Sequence, residues 1–173
     1  CAPMNEHELR KMMFTAQLPE QGPWVIRYPR GRGVMEDWRC PLEAIETGKG
    51  RKLKDGKKIA VLSIGHIGNN VAEAVKGTEV AHYDMRFLKP IDTTILDEVG
   101  RNYDHIITVE DGVRDGGLGS AVLEYFADKD YSVNVTRIGM PTDKFVEHGT
   151  ISELQKLYNM DVDGIRKTIE RYM

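Results

Sequence analysis

His105-Ile-Ile-Thr-Val-Glu-Asp111, Gly112-Val-Arg-Asp-Gly-Gly-Leu-Gly119 and Ser120-Ala-Val-Leu-Glu-Tyr-Phe126 form one continuous stretch. Its first part is apolar and rich in β-branched residues, as suits a strand buried on both faces. Two carboxylates, Glu110 and Asp111, stand where that strand ends. Four glycines follow between positions 112 and 119. Then Leu118, Val122, Tyr125 and Phe126 recur at helical spacing. Strand, glycine loop and helix in this order set free backbone N–H groups and the positive end of a helix beside a strand terminus. The loop therefore either cradles a phosphate or serves close packing.

Outward from this stretch the pattern repeats. Strand-like runs at Lys58–Ile64, Glu79–Tyr83, His105–Val109 and Ser132–Ile138 alternate with segments of helical spacing: Ile67, Val71 and Val75, then Ile91, Ile95 and Val99, then the helix after Gly119. Such alternation predicts βαβ units: an α/β fold with a mostly parallel open sheet and helices on both faces. Asp92 is the expected cap of the second helix. Thr150 with Glu153 is a capping box, and Asp161 precedes a last helix with Val162, Ile165, Ile169 and Tyr172 on its apolar face.

The N-terminal part breaks this rhythm. Asn5 with Glu8 reads as another capping box, opening a helix with Leu9, Met12, Met13 and Ala16 inward. Trp24-Val25-Ile26 reads as a short buried strand running into Arg27-Tyr28-Pro29-Arg30-Gly31-Arg32-Gly33. Three arginines among glycines suit either a solvated loop or bidentate capture of an anion. Residues 34–57 read as a connector, with an Asp55-Gly56 turn placed to close a hairpin. The boundary between a preceding domain's tail and the periodic domain falls near residue 41.

Composition narrows the function. The 173 residues carry a net charge of −3 and no long basic run, so there is no nucleic-acid footprint. No apolar stretch reaches the roughly 18 residues of a membrane helix. Two cysteines, Cys1 and Cys40, are too few for a disulfide framework and fit a reducing cytosol. A chain that opens on Cys1 and enters a helix at once reads as a piece of something longer, in preference to a lipoprotein or an N-terminal nucleophile.

Ligands of open α/β sheets sit off the carboxyl ends of the strands. Here those ends carry Gly65-His66, Asp84-Met85-Arg86, Glu110-Asp111 and Gly139-Met140-Pro141. His66 suits acid/base work or a loop hydrogen bond. Asp84 and Arg86 are expected to form an ion pair tying strand to loop. Glu110 and Asp111, being adjacent on a strand, point to opposite faces and do not act as a pair. Gly117-Leu-Gly119-Ser-Ala-Val122 departs from the dinucleotide fingerprint at its third position, which is Val. His148 has no companion ligands at metal-binding spacing.

Ile26-Arg-Tyr-Pro-Arg-Gly31, Gly48-Lys-Gly50, Asp84-Met-Arg-Phe-Leu-Lys-Pro-Ile-Asp92, Val109-Glu-Asp111, Gly116-Gly-Leu-Gly-Ser120 and Phe145-Val-Glu-His-Gly149 occur in this order. Together they resemble the C-terminal part of the 1-deoxy-D-xylulose-5-phosphate synthase family, within the transketolase superfamily. The single motifs are shared more loosely, for example with the beta subunits of 2-oxo acid dehydrogenases. A non-catalytic anion- or protein-binding α/β module is the reading from a different class.

The resemblance implies a homodimeric, cytoplasmic transferase that uses thiamine diphosphate and Mg. Such an enzyme decarboxylates pyruvate and joins the two-carbon unit to glyceraldehyde 3-phosphate, in isoprenoid precursor and thiamine biosynthesis. Residues 1–40 would be the end of the pyrimidine-binding domain and residues 41–173 the transketolase-type C-terminal domain. The family's catalytic glutamate, diphosphate motif and metal ligands match no position here, so this stretch alone is expected to be inactive and to bind no cofactor. One role carries over: Arg30 matches the arginine that holds the substrate phosphate, with Arg27 the alternative.

Overall fold

A computed structural model describes residues 1–31 and 33–173. Arg32 lies outside the described residues, and with it one of the three arginines singled out above.

The sheet has five strands: β1 (Arg51–Lys54), β2 (Lys58–Ile64), β3 (Ala81–Asp84), β4 (Tyr103–Val113) and β5 (Asn134–Met140). Their spatial order is β1-β3-β2-β4-β5. β2 pairs in parallel with β3 and β4, and β4 in parallel with β5, while β1 runs antiparallel along β3. Helices cover both faces. α3 (Thr93–Asn102) and α4 (Leu118–Asp128) pack on one, where Leu62, Tyr83, Leu96, Ile106, Val122 and Phe126 are buried. α2 (Gly68–Ala74) and α6 (Val162–Glu170) pack on the other, over Val61, Val71, Ile107, Val109, Ile165 and Ile169. β2 and β4 alternate between these two cores residue by residue, and each large aliphatic side chain so buried contributes about 1.5–3 kcal/mol.

The caps follow the sequence closely. Asp92 accepts the N–H groups of Thr94 and Ile95 at 2.9 and 3.3 Å, and Asp161 accepts that of Gly164 at 3.0 Å. Thr150 and Glu153 complete a reciprocal capping box on α5 (Ile151–Leu157). At α1 (Glu6–Thr15) only half of the expected box forms. Asn5 accepts the Glu8 N–H at 3.0 Å, but the Glu8 carboxylate leaves its own helix for Arg86 and Arg51. Met12 is buried there, whereas Met13, expected inward, is 52% exposed.

Three expectations give way. Trp24-Val25-Ile26 is not a strand. Its backbone neighbour among the described residues is Cys1, whose ammonium donates to the Val25 carbonyl at 2.9 Å while the Arg27 N–H donates to the Cys1 carbonyl, also at 2.9 Å. With no ladder on either side, Val25 stays 83% exposed. Second, Asp55-Gly56 closes no hairpin. β1 bypasses β2 and pairs with β3, Arg51 opposite Asp84. The connection crosses the start of β3 so closely that a Cβ on Gly56 would lie 2.1 Å from the Ala81 nitrogen. Third, Asp84 and Arg86 form no side-chain ion pair. The Arg86 N–H donates to Asp84 at 3.2 Å, but its guanidinium binds Glu8 through two bonds of 2.6 and 3.0 Å. Arg51, 3.1 Å away, is the guanidinium partner of Asp84.

Candidate functional site

Adjacent parallel strands whose connections leave toward opposite faces leave a crevice at their carboxyl ends. β2 and β4 are such a pair: β2 leads to α2 on one face, and β4 leads to α4 on the other. His66 follows β2, and Glu110 and Asp111 lie near the end of β4, so the topology brings them together.

The two carboxylates turn opposite ways, as strand geometry demands. Glu110, 4% exposed, turns to the glycine loop and accepts the N–H groups of Leu118 at 2.9 Å and Gly119 at 3.0 Å. These are the donors that made the loop look like a phosphate cradle. An internal carboxylate already fills the place at the start of α4, and a Cβ on Gly117 would lie 2.0 Å from its Oε2. Burial pushes the Glu110 pKa up, and the two N–H bonds only partly offset this. The Leu118 and Gly119 donors of the loop are thus occupied by Glu110, and no grouping of three or more His, Cys, Asp or Glu side chains suited to a metal occurs among the described residues.

Asp111 turns the other way, into the crevice. Its Oδ2 lies 3.0 Å from His66 Nδ1, and its Oδ1 accepts from the Arg27 guanidinium. Burial alone would raise the Asp111 pKa, but the hydrogen bonds from His66 and Arg27 and the charge of Arg27 outweigh it and hold the carboxyl well below the ordinary range. The same bond to Asp111 raises the pKa of Arg27 further. Arg27 is thus committed to an internal partner.

Arg30 is placed differently. It lines a cavity of about 480 Å³ with His66, Asn69, Asn70 and Gln155, and also an adjoining one of about 410 Å³ that includes His66, Asp111 and Gln155. Its guanidinium makes no ion pair among the described residues. Asn69 and Asn70 shape the wall. Asn69 donates to the carbonyls of Met4 and His66, both at 2.8 Å, and Asn70 donates to Gln155 Oε1 at 3.1 Å and the Met160 carbonyl at 3.0 Å. Sequence reading named Arg30, Arg27, His66 and Asp111 separately; the fold joins all four at one crevice. It missed Gln155, whose helix signals gave no hint that its side chain reaches α2. His148 lies exposed between β5 and α5, outside the site.

Residues 48–165 match the family model described as Transketolase, C-terminal domain. Over 98% of its length the chain is 60% identical to a 1-deoxy-D-xylulose-5-phosphate synthase of Bacteroides thetaiotaomicron and 54% identical to that of Bacteroides fragilis. It is 37% identical over 99% of its length to the synthase of Vibrio vulnificus. In each case it spans 27% of the relative's length. A solved structure described as "Split gene transketolase, inactive beta4 tetramer" superposes with a TM-score of 0.69 at 28% identity, covering 78% of this chain and 45% of that one. With a parallel sheet of this order and a family match across most of its length, the chain belongs to the transketolase C-terminal domain family.

Proposed function

We propose that this chain is part of a 1-deoxy-D-xylulose-5-phosphate synthase, which condenses pyruvate with glyceraldehyde 3-phosphate and releases CO2. In this reading it supplies the phosphate contact for the acceptor substrate through Arg30, as a cytoplasmic homodimer working in isoprenoid precursor synthesis. Residues 1–40 are the end of the preceding domain, and residues 41–173 are the C-terminal domain. Thiamine diphosphate and Mg are held by other parts of the protein. The Glu110-filled loop favours that assignment, and so does the family resemblance. A relative described as an inactive beta4 tetramer is in keeping with the view that this portion does not catalyse alone.

The observation that carries the reading is the contrast between the two arginines. Arg27 is tied to Asp111, while Arg30 lines the cavities at the strand ends with its guanidinium uncommitted among the described residues. A guanidinium binds phosphate through paired, charge-assisted N–H bonds, and losing such bonds costs about 2 kcal/mol, or roughly thirtyfold in affinity. In the full-length protein, Arg30→Ala is expected to raise the KM for glyceraldehyde 3-phosphate by about that factor and leave the KM for pyruvate within about twofold. Equal effects on both substrates contradict the phosphate role.

A further inference from the structure

Resting on the synthase reading, we infer that His66 accepts a hydrogen bond from the hydroxyl group beside the phosphate of the acceptor substrate, so that Arg30 and His66 grip it at two points. Three observations lead there. The ring is oriented by one carboxylate. Asp111, ionised between Arg27 and His66, accepts from Nδ1 at 3.0 Å, so that nitrogen carries the proton. In the neutral ring the opposite nitrogen is then an acceptor. Gln155 agrees with this: its Oε1 is taken by Asn70, so its amide N–H group is the one that faces His66 Nε2. That contact is 3.5 Å long, at the weak limit of hydrogen bonding, and leaves the Nε2 lone pair largely unspent.

Location supplies the ligand. His66 is 22% exposed, and it lines both cavities that Arg30 lines. A lone pair wants a hydroxyl or N–H donor; a phosphate dianion has none to offer. In a three-carbon phosphorylated hydroxyaldehyde, the carbon next to the phosphate ester carries such a hydroxyl. Phosphate on the guanidinium and hydroxyl on the neutral imidazole give each group a partner of matching hydrogen-bonding character. No bond is broken or formed, and His66 is a binding residue that discriminates among acceptors.

The test measures kcat/KM in the full-length protein with pyruvate and three acceptors: glyceraldehyde 3-phosphate, its analogue lacking the C2 hydroxyl, and unphosphorylated glyceraldehyde. His66→Ala is expected to lower kcat/KM roughly tenfold for the two hydroxylated acceptors and to leave the deoxy analogue within twofold. His66→Gln, which returns a carbonyl oxygen near Nε2, is expected to recover part of the loss. Arg30→Ala is expected to show the other pattern, losing the two phosphorylated acceptors and sparing glyceraldehyde. If His66→Ala falls equally on all three acceptors, the ring only supports Asp111 and the inference is overturned. A loss confined to both phosphorylated acceptors makes His66 a phosphate donor and likewise overturns it. Wild-type protein inert toward pyruvate and glyceraldehyde 3-phosphate overturns the synthase reading, and the inference falls with it.

Discussion

His82 sits in the middle of the sheet on β3, 1% exposed, with Nε2 2.8 Å from Ser63 Oγ. Burial, and secondarily the charge of Arg51, lower its pKa from 6.5 to about 4. The ring is therefore neutral in the folded protein at pH values where an unfolded histidine already binds a proton. Its contribution is complete above about pH 6.5 and is lost as the pH falls from there toward 4. A shift of this size corresponds to about 3 kcal/mol across the window. Urea unfolding of the wild-type chain is expected to show that loss between pH 6.5 and 4, and His82→Gln to lack it. Equal slopes in the two proteins would remove His82 as the cause. Asp111 has the carboxylate sign: depressed by its partners, it stabilises above the ordinary carboxylate range and yields only in stronger acid.

At the scale of elements, the start of α4 depends on one side chain from the neighbouring strand. Glu110 satisfies two of the N–H groups that every helix leaves unpaired at its first turn. Glu110→Ala strands both donors in a buried place and is expected to cost about 2–4 kcal/mol; Glu110→Gln, which keeps one acceptor, costs less. Chemical unfolding at pH 7 measures both. Gly117→Ala is expected to destabilise in the same region, because its Cβ would meet the Glu110 carboxylate. The elements themselves were legible: β2 runs over Lys58–Ile64 as expected, and α2, α3, α4 and α6 lie on the expected periodic segments. Periodicity records which face a segment buries, and these segments are buried by their own neighbours. It does not record partners distant in sequence. Nothing in Asp55-Gly56 reveals that β1 crosses to β3, and nothing in Asp84-Met85-Arg86 reveals that the guanidinium belongs to Glu8, 78 residues away. The site was legible as residue types near strand ends, but its assignment was not. The glycine loop advertised free N–H groups, and only the fold shows them taken.

On the scale of the whole molecule, the N-terminal segment is held to the sheet by charge. Glu8, 2% exposed, binds Arg86 on one side and Arg51 on the other, and Arg51 also binds Asp84. Two buried carboxylates and two partly exposed guanidiniums thus form a balanced network joining α1 to β1 and the end of β3. Burial pushes the Asp84 pKa up against the pull of Arg51. Removing one member leaves uncompensated charge, so Glu8→Ala is expected to cost about 3–5 kcal/mol. Hydrogen exchange would then show α1 amides released before those of β2 and β4; simultaneous release of all three would mean that the network is not the tie. Arg27 and Asp111 form the second tie, beside the crevice. This arrangement sets Arg30 and His66 on the same two cavities, and it moves the expected anion from the glycine loop to the opposite side of β4. Backbone amide shifts during titration of the chain with inorganic phosphate test that placement most directly. Shifts are expected to concentrate at residues 30, 66 and 155 while the amides of Leu118 and Gly119 stay still. Saturable shifts of Leu118 and Gly119, with Arg30 and His66 unmoved, would contradict that placement.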